Sequence, residues 1–172
     1  MQTIMITGCS SGFGLETARY FLEQGWKVIA TMRAPQEGVL PASDRLRLVR
    51  LDVTSAQSIA EAIAEVGEID VLVNNAGVGM LNALEGASRE AIADLFATNT
   101  LGTIAMTQAV IPRFRARRSG TIVNITSAVT LQPMPLLAVY TASKAAVNAF
   151  TESLALELRE GIHRSEEHTS EL

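Results

Sequence analysis

The chain is poor in cysteine, in positive charge and in unbroken apolar runs, and each shortage removes a class of function. One cysteine in 172 residues, Cys9, rules out an internal disulfide framework and suits a reducing compartment. Lysine and arginine number 14 against 18 aspartates and glutamates, a formal net charge of −4, so no nucleic-acid partner is expected. No basic segment precedes the first apolar strand pattern, which starts close to Met1, so no leader is expected and a cytoplasmic location is. The longest uncharged stretch, 119–143, has the length to cross a bilayer, but Asn124, Thr126, Ser127, Thr130, Gln132, Pro133 and Pro135 interrupt it. It reads as a buried strand and a loop, with no membrane partner. No metal site is expected.

The composition, 48% hydrophobic and 19% charged, fits one globular domain with a sizeable core. Short runs rich in Val, Ile and Leu alternate with longer helical patterns, the order that winds a parallel sheet with helices on both faces. The pattern predicts strands near 3–7, 27–32, 46–52, 69–74 and 120–126, and helices near 12–24, 55–66, 88–115 and 139–160. The fold class is therefore α/β, a Rossmann-type doubly wound parallel sheet in three layers.

The first strand runs into Thr7, Gly8, Cys9, Ser10, Ser11, Gly12, Phe13 and Gly14. A glycine-rich turn between a strand and a helix holds a dinucleotide pyrophosphate, because the backbone can approach closely and free helix N–H groups face the anion. In this reading Gly8 curves the turn, Gly12 admits the pyrophosphate and Gly14 lets helix and strand pack. Cys9 is expected to be a small turn residue and not a nucleophile. Arg33 ends the second strand, where a carboxylate would bind an adenosine ribose; a guanidinium there suits a 2′-phosphate and favours NADP over NAD, or is a solvated strand end. Asp52, followed by Val53, closes the third strand and either meets an adenine amine or caps the next helix. Asn75, Ala76 and Gly77 leave the fourth strand at the carboxyl edge of the sheet, where such folds place ligands.

Tyr140 and Lys144 lie four residues apart on a predicted helix, so phenol and ammonium share one face, as a proton-transfer device requires. Ser127, thirteen residues before Tyr140, adds a hydroxyl. Taken alone, the Tyr-x-x-x-Lys spacing also arises by chance in many helices. Pro133, Met134, Pro135, Leu136 and Leu137 form a candidate apolar wall before Tyr140, or part of the core.

Together these segments resemble the classical branch of the short-chain dehydrogenase/reductase family. T-G-x-x-x-G-x-G stands at Thr7 to Gly14, D-V at Asp52 and Val53, N-N-A-G at Asn74 to Gly77, and Y-x-x-x-K at Tyr140 to Lys144, in the family's order over residues 1–163. The resemblance extends to the 17β-hydroxysteroid and retinol dehydrogenase subgroup, through Thr7 to Gly12 and Ile29 to Arg33. It implies an NADP(H)-dependent oxidoreductase acting on CH–OH donors, interconverting a small, apolar alcohol and its ketone, with no steroid assigned. It further implies Tyr140 as general acid and base, and Lys144 beside it binding the nicotinamide ribose. Ser127 would bind the substrate oxygen, Asn99 would stabilise a helix distortion and hold a water, and Ser10 with Arg33 would hold the 2′-phosphate. A homodimer or homotetramer is implied through the helices near 88–115 and 139–160. A sensor that binds NADP without turnover is the alternative, disfavoured by an intact Asn99, Ser127, Tyr140 and Lys144. An epimerase or dehydratase of the extended branch would carry G-x-x-G-x-x-G, which Gly8, Gly12 and Gly14 do not.

Residues 164–172, Arg-Ser-Glu-Glu-His-Thr-Ser-Glu-Leu, differ in texture and resemble the translation of a sequencing-adapter oligonucleotide. They are expected to be a non-native tail on an incomplete domain, 1–163, whose sheet lacks its last strands. On that expectation the fifth strand has an open edge and the 172-residue chain is unstable and inactive.

Overall fold

The computed structural model describes residues 1–158 in full and the backbone of 162–167. The strands are β1 (Thr3–Ile6), β2 (Lys27–Met32), β3 (Leu46–Arg50), β4 (Val71–Asn74), β5 (Gly120–Ile125) and β6 (Ile162–Glu167). The helices are α1 (Gly12–Glu23), α2 (Ala56–Val66), α3 (Arg89–Phe96), α4 (Gly102–Arg117) and α5 (Ala138–Glu157). The sheet has the order β3-β2-β1-β4-β5-β6, and every neighbouring pair is parallel. The order reverses between β1 and β4, which opens a crevice at the carboxyl edge there.

Alternation along the strands divides the core between the two faces. Met5, Ile29, Val49, Leu72 and Ile122 turn toward α2, α4 and the end of α5, meeting Ile63, Val110, Phe114 and Leu154. Ile4, Ile6, Val28, Ala30 and Val73 turn the other way, onto Ala18 and Leu22 of α1. The expected three-layer doubly wound sheet is what the chain forms. Among the described residues no helix is long and apolar enough to cross a membrane.

Two expectations are corrected. β6 pairs with β5 from Gly120↔Ile162 to Ile125↔Glu167, so the edge of β5, expected to be open, is covered. Its ladder uses backbone groups, which residues of any polarity carry, so the polar texture of the segment did not announce a strand. The sheet ends at β6, with no later strand among the described residues. The predicted helix 88–115 is in fact α3 and α4 joined by a π-helical segment, Ala97–Leu101. Residues 159 and 160, the predicted end of the last helix, lie outside the described residues.

A buried polar relay ties the strand ends that carry the crevice. Asn74 Nδ2 donates to Asn124 Oδ1 (2.9 Å) and Thr107 Oγ1 (3.1 Å), and Asn124 Nδ2 donates to Thr151 Oγ1 (2.8 Å). Thus β4, β5, α4 and α5 are held in register directly beneath the loops that follow the strands.

Candidate active site

The glycine turn is fastened to the loop after β4. Thr7 Oγ1 accepts from the N–H groups of Asn75 (3.0 Å) and Ala76 (2.9 Å), while Asn75 Nδ2 donates to the carbonyls of Thr7 (3.0 Å) and Gly8 (3.2 Å). A β-carbon at Gly14 would lie 2.3 Å from Gly8 O and 2.4 Å from Asn75 Nδ2. Gly14 therefore lets the start of α1 pack against the turn that leaves β1 and its tie to the end of β4. Cys9 is fully buried, donates from Sγ to Ile6 O (3.3 Å), and burial pushes its thiol up to about 12, as an inert turn residue requires.

Outside this fastening runs a groove of ≈ 520 Å³. Its walls include Gly8, Ser10, Ser11, Gly12, Phe13, Arg33, Asp52, Val53, Asn75, Ala76 and Gly77, all singled out from the sequence. Thr7 and Gly14 stand behind the wall. Asp52 does not cap α2, because Ser55 does so by accepting from Ser58 N–H (3.2 Å). Asp52 Oδ1 instead accepts from the hydroxyl (2.7 Å) and N–H (2.9 Å) of Thr54, which hold its carboxyl below the usual carboxylate value, helped by the charges of Arg33 and Arg50.

A second cavity, of ≈ 480 Å³, shares Phe13, Asn75, Gly77 and Val78 with the groove and holds Tyr140 and Lys144. Both are largely buried, at 8% and 5% exposure, on one face of α5. Lys144 Nζ donates to Ile125 O at the end of β5 (2.9 Å). Ser127 is adjacent to Thr126 of the cavity wall but is itself 2% exposed, its hydroxyl accepting from Val129 N–H (3.4 Å). The expected apolar wall 133–137 is corrected: Leu137 alone of the five lines the cavity, and the other apolar lining is Phe13, Val78, Met80, Leu81 and Ile125. Leu136, at φ 65, turns its segment outward, and its carbonyl accepts from Asn82 N–H (2.9 Å).

Asn99 is buried at 1% within the π-helical segment and clamps the loop after β4. Its Oδ1 accepts from Val78 N–H (2.8 Å), and its Nδ2 donates to Val78 O (2.9 Å) and Ser143 Oγ (3.1 Å). Ser143 Oγ in turn donates to Tyr140 O (2.7 Å). A β-carbon on Gly77 would sit 3.2 Å from Asn99 Oδ1 and 3.3 Å from Lys144 Nζ, so bare backbone brings these groups to one point.

The family profile described as short chain dehydrogenase matches residues 2–163. The chain belongs to the short-chain dehydrogenase family. It is 42% identical to 3-ketodihydrosphingosine reductase of Bacteroides thetaiotaomicron over 91% of this chain and 58% of that protein. It is 41% identical to bovine (Bos taurus) retinol dehydrogenase 8 over 91% of this chain and 54% of that protein. A solved closed form of serine dehydrogenase complexed with NADP+ superposes with a TM-score of 0.88 at 34% identity, covering 96% of this chain and 71% of that one. The chain spans somewhat more than half the length of these curated relatives.

As a short-chain dehydrogenase the chain has site neighbours that sequence reasoning missed. Ser143 couples Asn99 to the Tyr140 turn, and Asp94 of α3 with Ala97 and Thr98 of the π-helical segment line the groove. Ser143 stands three residues after Tyr140, a legible spacing, but nothing local says that its hydroxyl faces another helix. Among the described residues no group of His, Cys, Asp and Glu could hold a metal ion.

Proposed function

We propose that the intact protein is an NADP(H)-dependent oxidoreductase that interconverts an alcohol and a carbonyl. The observation that carries this reading is the continuity of the glycine-turn groove with the cavity of Tyr140 and Lys144, through four shared wall residues. A dinucleotide fits the residues present. Gly12, at φ 59, and the start of α1 leave backbone N–H groups for a pyrophosphate, and Ser10 and Arg33 on the same wall suit a 2′-phosphate. Asp52 and Val53 border the adenine end, while Asn75, Ala76 and Gly77 with Tyr140 and Lys144 border the ribose and nicotinamide end.

The bound nicotinamide supplies or accepts the hydride. This chain's own residues handle the proton and the orientation. In reduction, the Tyr140 hydroxyl gives its proton to the carbonyl oxygen as the C–H bond forms; in oxidation, the phenolate oxygen takes the proton of the alcohol. Lys144, fixed by Ile125 O, lines the same cavity, where it can bind ribose hydroxyls. Ser127 holds the substrate oxygen after reorienting from Val129 N–H, and Asn99 keeps the loop after β4 against α5. The lining of Val78, Met80, Leu81 and Leu137 favours an apolar substrate.

A cytoplasmic location, drawn from the single buried thiol, belongs to the same proposal. So does a homodimer or homotetramer, supported by exposed Leu101 beside α4 and Leu156 on α5. The domain limits of 1–163 and a separate tail are retained as a proposal about the natural polypeptide. A panel of apolar ketones and aldehydes, followed by loss of NADPH absorbance on the full-length protein, tests the reading. Oxidation of NADPH is expected; tight NADPH binding with no turnover across the panel would favour a sensor instead.

A further inference from the structure

Ser127 and Tyr140 have to stand at a fixed separation to share one substrate oxygen, yet the backbone between them is a poor spacer, because it runs through the loop 131–136, exposed throughout. Side chains of α5 make the shorter connection. Lys144 Nζ donates to Ile125 O (2.9 Å), and Thr151 Oγ1 accepts from Asn124 Nδ2 (2.8 Å), so the helix is tied to the end of β5 at both residues. Asn148 lies between them on α5 and reaches further along the chain, donating from Nδ2 to Thr130 Oγ1 (3.1 Å).

That bond has a direction. A threonine hydroxyl has a single proton to give, and Thr130 gives it to Ser127 O (2.8 Å), the carbonyl that also accepts from Thr130 N–H (3.1 Å). Thr130 Oγ1 is left to accept, and the amide nitrogen of Asn148 supplies the donor, so a path of hydrogen bonds runs from α5 to the backbone of Ser127. The carbonyl is held, while the Ser127 hydroxyl, whose contact with Val129 N–H is long at 3.4 Å, can turn about χ1. Ser127 also caps the short 3-10 turn Ala128–Thr130, so a grip on Thr130 steadies both ends of that turn. Neither Asn148 nor Thr130 lines the groove or the cavity, so the pair acts through Ser127 and not on substrate.

We infer that Asn148 and Thr130 are positioning residues, which hold the backbone of Ser127 at a set distance from Tyr140 so that the serine hydroxyl reaches the substrate oxygen by rotation alone. The inference rests on the proposed role of Ser127, and its test separates the two. Asn148→Leu keeps the volume and removes the donor; Thr130→Val keeps the shape and removes the hydroxyl; Thr130→Ser keeps the hydroxyl. These variants, Ser127→Ala and the wild type are compared as full-length proteins, with thermal melts to verify that each is folded. Reduction of the panel ketone turned over fastest gives kcat and KM, and fluorescence titration gives the affinity for NADPH.

Ser127→Ala is expected to lower kcat by at least about a hundredfold. Asn148→Leu and Thr130→Val should each lower kcat by about five- to tenfold, the scale of one hydrogen bond, with KM and NADPH affinity nearly unchanged. Thr130→Ser should retain most of the wild-type kcat. Because the two residues form one path, combining Asn148→Leu with Thr130→Val should cost no more than either change alone. Unchanged kcat in both single variants, beside an inactive Ser127→Ala, would overturn the positioning role while the proposed function stands. So would matching losses of kcat and NADPH affinity, or a kcat as low in Thr130→Ser as in Thr130→Val, since the effect would then lie on packing. Full turnover by Ser127→Ala, or no ketone reduced by the wild type, would overturn the proposed role of Ser127, and this inference with it.

Discussion

At the residue scale, Gly14 sits where a single added carbon has no room. The 2.3 Å and 2.4 Å contacts that a β-carbon on Gly14 would make are with a backbone carbonyl and with an amide already donating twice, so neither neighbour can move freely. Gly14→Ala should lower unfolding stability by about 1–3 kcal/mol in urea titration and weaken NADPH binding. Gly79→Ala, which meets nothing within 4 Å, should leave stability unchanged.

Cys9 gives a pH signature. Its thiol titrates near 9.0 when solvated and at about 12 when folded, so the folded state favours the protonated form. That contribution is fully present below the unfolded value and is lost as pH rises from about 9 toward 12, because only the unfolded chain can release the proton there. Urea unfolding at pH 8 and pH 10 should show a drop for the wild type that is smaller in Cys9→Ala; equal drops would contradict the burial argument.

At the element scale, the π-helical turn between α3 and α4 is the piece of the site that local sequence hides. An extra residue in a helical turn leaves the apolar spacing of a long helix nearly intact, so 88–115 read as one element, and only tertiary contacts identify Ala97–Leu101. The turn brings Asn99 to Val78 and Ser143, joining the loop after β4 to α5. Asn99→Ala would strand the buried donors and acceptors it now satisfies. A loss of about 1–3 kcal/mol or more is expected by urea unfolding, with reduced turnover of the intact protein. By contrast, the place of Gly8 and Gly12 on the groove and of Tyr140 and Lys144 in one cavity was legible, because short, fixed spacings set it. Asp52 was half legible: it lies two residues past the end of β3 and not inside the strand as expected, and only the structure assigns its carboxylate to Thr54 and the cap to Ser55.

At the scale of the whole molecule, the alternation of Val- and Ile-rich runs with helical patterns was enough to foresee a parallel sheet, because a strand covered on both faces has to be apolar throughout. The sixth strand escaped the same reasoning, since an edge strand needs only backbone partners and Ile162–Glu167 is mostly polar. Coverage of the faces is unequal: α2, α4 and α5 pack on one, α1 on the other, where Val71, Val123 and Ile125 are only partly buried. The 172-residue chain is therefore expected to bind a hydrophobic dye and to associate at micromolar concentration, seen by size-exclusion chromatography; a dye-silent monomer would contradict this.

On the proposed function, one continuous cleft brings a dinucleotide to the phenol of Tyr140. Comparing wild type with Tyr140→Phe in the full-length protein, by NADPH fluorescence titration and by carbonyl reduction in the same preparation, tests it most directly. Unchanged NADPH affinity with turnover reduced by at least about a hundredfold is predicted. Turnover retained by Tyr140→Phe would contradict it.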